Sequence, residues 1–262
     1  MLSLMHAKFR EFAQKVSQIN DDFISLCFCN IIACVDKNLY KLSPSDFKYL
    51  WEDCKHCFYQ KVKLGVSPHS GAFPAIFTHM NGLLQNSIVG INLKDINSDL
   101  PSGIIDVKEG YLESKPFPHA LDCYINGRFD ILTRLDDGTY TVIDFKISKP
   151  DEDQVRKFSN QLHAYKFALE NPANGKDTVK VSKMGLVTVS PEAIDFVDGK
   201  IIFTTSPKWH PIEEDMDNFY KLISDISKTL NGSLPAPTAT CRLCIYRKHF
   251  EPKEKNSDDI PF

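Results

Sequence analysis

Two Cys-x-x-Cys pairs, CKHC at Cys54 and Cys57 and CRLC at Cys241 and Cys244, are separated by most of the chain. Each pair can grip a metal ion from one side, and two pairs complete a tetrahedral four-thiolate site. If they share an ion, any fold must bring these two distant stretches together. Zinc is the default ion for this spacing; four unrelated reduced thiols are the alternative. Cys27, Cys29, Cys34 and Cys123 show no ligand spacing and read as core residues.

The stretch GRFDILTRLDDGTYTVIDFKIS, residues 127–148, holds two strand-like runs around Asp136-Asp137-Gly138. In the second run Thr141, Ile143, Phe145 and Ile147 alternate with Val142, Asp144 and Lys146, so Asp144 and Lys146 share a face. In the first run Phe129, Ile131 and Thr133 share a face, opposite Arg128, Asp130, Leu132 and Arg134. A three-residue loop with Gly138 in the left-handed position pairs Leu135 with Thr139 and sets Asp130 against Asp144. Like charges about 4 Å apart cost on the order of 4 kcal/mol at an effective dielectric near 20. The pair therefore needs a proton or a cation, and a divalent metal or the Lys146 ammonium could supply the charge.

The chain has 262 residues and a formal charge of −3, enough to bury a full core but too nearly neutral to coat nucleic acid, leaving a local basic groove open. Its longest apolar run, FISLCFCNIIACV from Phe23, is too short to span a bilayer and has no leading basic stretch, so no membrane partner and a cytoplasmic location are expected. Phe9, Phe12, Val16, Ile19 and Phe23 predict an amphipathic helix. Ser43, Pro44 and Asp46 predict a helix start with a capping box, the helix running into Cys54. FPAIFTHMNGLLQ predicts a helix with Ile76, Met80 and Leu83 or Leu84 as its stripe. Val155, Phe158, Leu162, Tyr165 and Leu169 predict one long helix after the hairpin. KMGLVTV and KIIFTTS predict strands, and MDNFYKLISDISKTL a late helix. The fold class is thus α/β, a small central mixed sheet flanked by helices. The organisation is an N-terminal helical segment over 1–41, a domain over 42–250 that includes the cysteine lobe, and a disordered acidic tail over 251–262.

The combination of GRFDILTRL, VIDFK and QLHAY, preceded by SGAFPAIFTH, resembles the RecB-like branch of the PD-(D/E)XK nuclease superfamily, including its CRISPR-associated and recombination exonuclease relatives. The resemblance implies a restriction-endonuclease-like core and phosphodiester cleavage dependent on Mg²⁺ or Mn²⁺. Asp130, Asp144, the backbone carbonyl of Phe145 and, by resemblance, His79 would hold the metal. An imidazole ligand tilts the preference toward Mn²⁺. Lys146 would orient the nucleophile and steady developing negative charge, with Gln161 and Tyr165, one helical turn apart, positioning Lys146 or the phosphate. Several relatives carry a four-cysteine [4Fe-4S] cluster, so Zn²⁺ and the cluster are both open at Cys54, Cys57, Cys241 and Cys244. The usual arrangement there is one cysteine upstream and three downstream; this chain has two and two.

Lys55, His56, Lys61 and Lys63 beside one pair, and Arg242, Arg247, Lys248 and His249 beside the other, would converge with the cysteines. Such a lobe could track phosphates, with Tyr59 and Tyr246 stacking on bases. The chain ends Asp258-Asp259-Ile260-Pro261-Phe262, similar to the tail tip of bacterial single-stranded-DNA-binding proteins, which docks on repair and replication proteins. The resemblance, with which these features agree, implies a metal-dependent DNA nuclease, expected to be an exonuclease on DNA ends or single strands in repair, recombination or CRISPR adaptation. An inactive nucleic-acid-binding adaptor with a structural zinc or iron–sulfur site is the alternative. A zinc-stapled scaffold acting through its tail is a third reading.

Overall fold

The computed structural model describes residues 39–67, 74–149 and 151–250. The chain divides after Leu39 into two units, and the residues from Tyr40 onward belong to the second. The expected helix from Phe9 to Phe23, Cys27, Cys29, Cys34 and the tail from Asp258 to Phe262 lie outside the described residues.

The strands are β1 (Tyr40–Leu42), β2 (Ile104–Lys108), β3 (Tyr111–Glu113), β4 (Cys123–Arg128), β5 (Ile131–Arg134), β6 (Tyr140–Ile147), β7 (Val181–Val189), β8 (Ala193–Val197), β9 (Lys200–Thr204) and β10 (Lys208–Pro211). The helices are α1 (Pro44–Asp46), which continues as a π-helical turn over Phe47–Trp51, then α2 (Lys55–Leu64), α3 (Ala75–Ile88), α4 (Leu93–Ile96), α5 (Glu152–Lys157), α6 (Ser159–Glu170), α7 (Met216–Asn231) and α8 (Arg242–Phe250). The central sheet runs β10-β7-β6-β5-β2. Within it β6 and β7 are parallel and the other neighbours antiparallel. Parallel strands need a crossover, and α5 and α6 supply it. A second sheet, β1-β4-β3, and the β8–β9 ribbon complete the strands. This is the expected mixed sheet flanked by helices.

The hairpin has the register its turn dictates. Ile131 pairs with Ile143 and Arg134 with Tyr140, the Leu135 N–H donates to the Thr139 carbonyl at 2.8 Å, and Gly138 takes φ of 79°. Val142 and Leu132 face the larger core while Ile131, Ile143, Phe145 and Ile147 face the smaller one, as alternation requires.

Phe129 departs from the expected alternation. It joins Leu132 in the larger core rather than sharing a side with Ile131. The first run is not one strand: β4 ends at Arg128 in one sheet and β5 begins at Ile131 in the other. Phe129 and Asp130 carry the chain across, held by Phe129 N–H to Gly110 O at 3.0 Å and Glu109 N–H to Asp130 O at 2.7 Å.

The long helix after the hairpin is two helices. At Phe158 the backbone N–H bonds back to Val155 and Arg156 carbonyls, a tightened turn that swings the buried Phe158 ring into the core. The stretch Gln161–Leu169 of α6 is then buried on every side. The capping box also fails: Ser43 makes no side-chain cap bond, and Asp46 instead pairs with Lys61 at 2.5 Å. The helix does not run unbroken to Cys54, because α2 starts afresh at Lys55 with Cys54 at its cap. In α3, Leu84 and Ile88 pack on the smaller core, whereas Ile76 and Leu83 are exposed.

KMGLVTV lies within β7 and KIIFT forms β9. The amphipathic α7 buries Phe219, Ile223, Ile226 and Leu230, and Asp215 caps it by accepting from the Asn218 N–H. In β7, a methyl added to Gly185 would run into the His210 carbonyl and the Trp209 ring. Gly185→Ala is therefore expected to cost about 2–3 kcal/mol by overpacking, read as a lower urea midpoint at unchanged m-value. An unchanged midpoint would mean that β10 moves aside freely.

Candidate active site and thiolate cluster

The crossing at Phe129 and Asp130 leaves Asp130 just ahead of β5, where its carboxylate accepts the Phe145 N–H at 2.9 Å. Asp144 sits in mid-strand with no exposed surface. Lys146, two residues on and on the same face, lies 2.8 Å from Asp144 Oδ2 and 3.6 Å from Asp130 Oδ2. The two acids meet as the register requires, and the ammonium bridges them. Burial pushes the Asp144 carboxyl up to about 7; the Lys146 charge opposes that rise and the neighbouring Asp130 adds to it. Burial disfavours the Lys146 ammonium, yet the Asp144 and Asp130 carboxylates outweigh it and hold its pKa above the ordinary lysine value.

Helix α6 supplies the back wall. Gln161 Nε2 donates to Asp144 Oδ1 at 2.9 Å and to the Tyr165 hydroxyl at 2.6 Å. Gln161 thus anchors the acid rather than Lys146. Burial, reinforced by the Asp144 and Asp130 charges, keeps Tyr165 a neutral phenol well above its usual pKa. Among the described residues Asp144 Oδ2 takes no hydrogen bond from a neutral donor; its close partner is the Lys146 ammonium at 2.8 Å. Two adjacent carboxylates, one of them buried and balanced chiefly by a lysine ammonium, are a hard-oxygen donor set that fits Mg²⁺ or Mn²⁺.

The site opens into a cleft of about 680 Å³ lined by Asp130, Lys146, Lys48, Thr78, Asn81 and Lys157, among others. His79 is exposed on α3, next to the cleft-lining Thr78. It forms no group with the two acids: among the described residues, the only cluster of three or more histidine, cysteine or acidic ligands is the cysteine quartet. Lys48 also lines the cleft; a helix expected to run from Pro44 into Cys54 gives no sign of the π-helical turn at Phe47–Trp51 on which it sits.

The four cysteines do converge. Cys57 Sγ lies 3.3 Å from Cys244 Sγ and 3.7 Å from Cys241 Sγ, and Cys54 Sγ lies 3.7 Å from Cys244 Sγ. All four sulfurs lie within 4.8 Å of one another. Four thiolates on one tetrahedral ion at a bond length of about 2.3 Å stand roughly 3.8 Å apart. Burial opposes ionisation of Cys54, but hydrogen bonds from the Thr238 and Cys57 amides and from the Thr238 and Cys241 side chains together bring its pKa down to about 6, while burial pushes the Cys57 and Cys244 thiols up. Cys123 is fully buried in the core, as expected.

The surrounding basic residues are largely engaged in the fold. Lys61 holds Asp46, Lys63 donates to the Leu230 carbonyl, His56 contacts the Pro235 carbonyl and Lys55 lies over the Trp51 ring. Arg247 donates to the Ser67 carbonyl. Tyr59 is buried with its hydroxyl on the Gly232 carbonyl, so it offers no face to a base. Tyr246 is exposed. Among the described residues no helix is long and apolar enough to cross a membrane.

The family model described as the PD-(D/E)XK nuclease superfamily matches residues 93–249. That span takes in Asp130, Asp144, Lys146, Gln161, Tyr165 and the second cysteine pair; Cys54, Cys57 and His79 precede it. No curated protein matches the chain. Fifteen chains of solved structures match. One, titled "Crystal structure of SSO0001", is 13% identical, covers 82% of this chain and 88% of that chain, and has a TM-score of 0.37.

Proposed function

This chain belongs to the PD-(D/E)XK nuclease superfamily, and on that basis we propose that it is a divalent-metal-dependent deoxyribonuclease of the RecB-like branch. It acts in the cytoplasm as an exonuclease on DNA ends or single strands, such as repair, recombination or CRISPR adaptation produce. The observation that carries the reading is the buried Asp144 meeting Asp130 beneath Lys146, with Gln161 and Tyr165 behind. A hairpin built only for stability would fill those positions with apolar pairs, because burying a carboxylate is costly.

Asp130, Asp144 and the Phe145 carbonyl would hold Mg²⁺ or Mn²⁺; His79 joins them by resemblance rather than by position. The ion, when bound, lowers the pKa of a water and draws charge from the phosphate oxygens. Lys146 orients the nucleophile and offsets negative charge that grows on the phosphate. Gln161 fixes the Asp144 carboxylate, and Tyr165 fixes Gln161.

At the cysteine quartet the short sulfur separations favour a single zinc ion over a [4Fe-4S] cluster, whose four thiolates each bind a different iron and so stand farther apart. The test of the activity is digestion of end-labelled linear and single-stranded DNA with Mn²⁺, Mg²⁺ or EDTA, beside Asp144→Asn. Metal-dependent digestion by the parent and none by the variant is expected. Equal digestion by both would overturn the reading, as would no digestion by the parent with either metal.

A further inference from the structure

The cleft holds a cation that the hairpin chemistry leaves without a role. Lys48 lies in the π-helical turn Phe47–Trp51, a backbone form often found at functional sites. Its ammonium is 3.1 Å from the centroid of the Phe158 ring, and that of Lys146 is 5.6 Å from the same centroid. The two ammoniums are therefore separated by less than those lengths combined. Lys146 has two carboxylates; Lys48 makes no ion pair among the described residues. Burial, then the charge of Lys146, lowers the Lys48 pKa to about 8, with Lys157 adding to the fall and Asp144 and Asp53 opposing it. Lys48 is thus still mostly protonated at neutral pH. The Phe158 ring favours its placement, but a neutral ring cannot cancel the charge. Lys157 lines the same cleft, and so does Asp53, which makes no ion pair with Lys48. A half-buried cation facing other cations, in an open cleft beside a proposed phosphodiester site, is completed by an anion.

We propose that Lys48 is a substrate-binding residue whose ammonium takes a backbone phosphate of the nucleic acid next to the linkage that is cut. This assignment rests on the nuclease reading and gives it a second phosphate contact, on a segment that precedes the family match.

The experiment measures binding of a short fluorescein-labelled single-stranded DNA by anisotropy across a salt series, in an Asp144→Asn background that prevents digestion. Lys48→Met keeps the aliphatic stem on Phe158 and removes the charge; Lys48→Arg keeps the charge; Lys48→Gln replaces the methionine variant should that one fail to fold by circular dichroism. Loss of one phosphate contact is expected to weaken binding about tenfold and to flatten the slope of log affinity against log salt by about 0.7 on single-stranded DNA, with Lys48→Arg close to the parent. In the otherwise native chain, Lys48→Met should raise KM far more than it lowers kcat. Unchanged affinity and slope in the charge-free variant would reduce Lys48 to a packing residue while leaving the nuclease reading intact. A parent that binds no DNA would overturn both.

Discussion

Lys146→Ala is expected to lower the rate of DNA cleavage by about 10³-fold while the protein still binds Mn²⁺. Removing one well-placed donor to developing transition-state charge costs 10²- to 10³-fold, up to about 4 kcal/mol. Lys146 lies against both acids, which places its loss at the upper end. The two carboxylates remain, so calorimetric titration with Mn²⁺ should still show a saturable site. Without the ammonium, Asp144 keeps its burial and its acidic neighbour but loses its counter-charge. Its pKa then rises further, and Mn²⁺ has to compete with a proton on it. Metal affinity in the variant should accordingly strengthen with rising pH. Lys146→Arg should not restore the rate, since a planar guanidinium cannot take the place of a compact ammonium in a gap of this size. Native-rate digestion by Lys146→Ala would remove the lysine from the chemistry, and loss of Mn²⁺ binding would make it a structural partner of the acids.

The second large effect is expected at the thiolate cluster. Cys57 is fully buried and its sulfur lies 3.7 Å from that of Cys241 and 3.3 Å from that of Cys244. Cys57→Ala should lose the bound ion and lower Tm by about 10 °C. Structural zinc sites supply folding free energy directly, and losing even about 4 kcal/mol of it shifts a domain of this size by roughly that much. A strong chelator should produce the same shift in the parent and none in the variant. Elemental analysis should find one zinc per chain in the parent. A brown preparation with four irons per chain would replace the single-ion reading with the cluster, and equal Tm values would show that packing alone joins α2 to α8.

Some of this was readable in the sequence because local rules fix it. The three-residue turn set the pairing of Leu135 with Thr139, and from there the meeting of Asp130 with Asp144 followed by counting. The cysteine spacing likewise announced its own cluster, since two short bites separated by a whole domain have little other use. The parts that escaped depend on tertiary placement. Alternation could not show that Phe129 leaves one sheet for another, because a change of sheet leaves the sequence pattern of a strand nearly intact. Periodicity carried Val155 through Leu169 as one stripe and could not register the tightened turn at Phe158. The helix bearing His79 was foreseen, but its rotation about its own axis is set by Leu84 and Ile88 seating on the smaller core. Lys61, read as a phosphate contact, is the counter-ion of a buried aspartate, a pairing that joins two helices and that no local pattern records.

The junction at Phe129 and Asp130 has a mechanical corollary. One jaw of the proposed metal grip is fixed within a sheet at Asp144; the other hangs from the joint where the chain steps between two sheets. The gap between the jaws therefore gauges how the sheets are tilted, and the bond from Phe145 N–H to Asp130 acts as the pin that sets it. Substitutions that loosen that joint, at Gly110 or Phe129, would be felt at the grip although neither residue carries any chemistry.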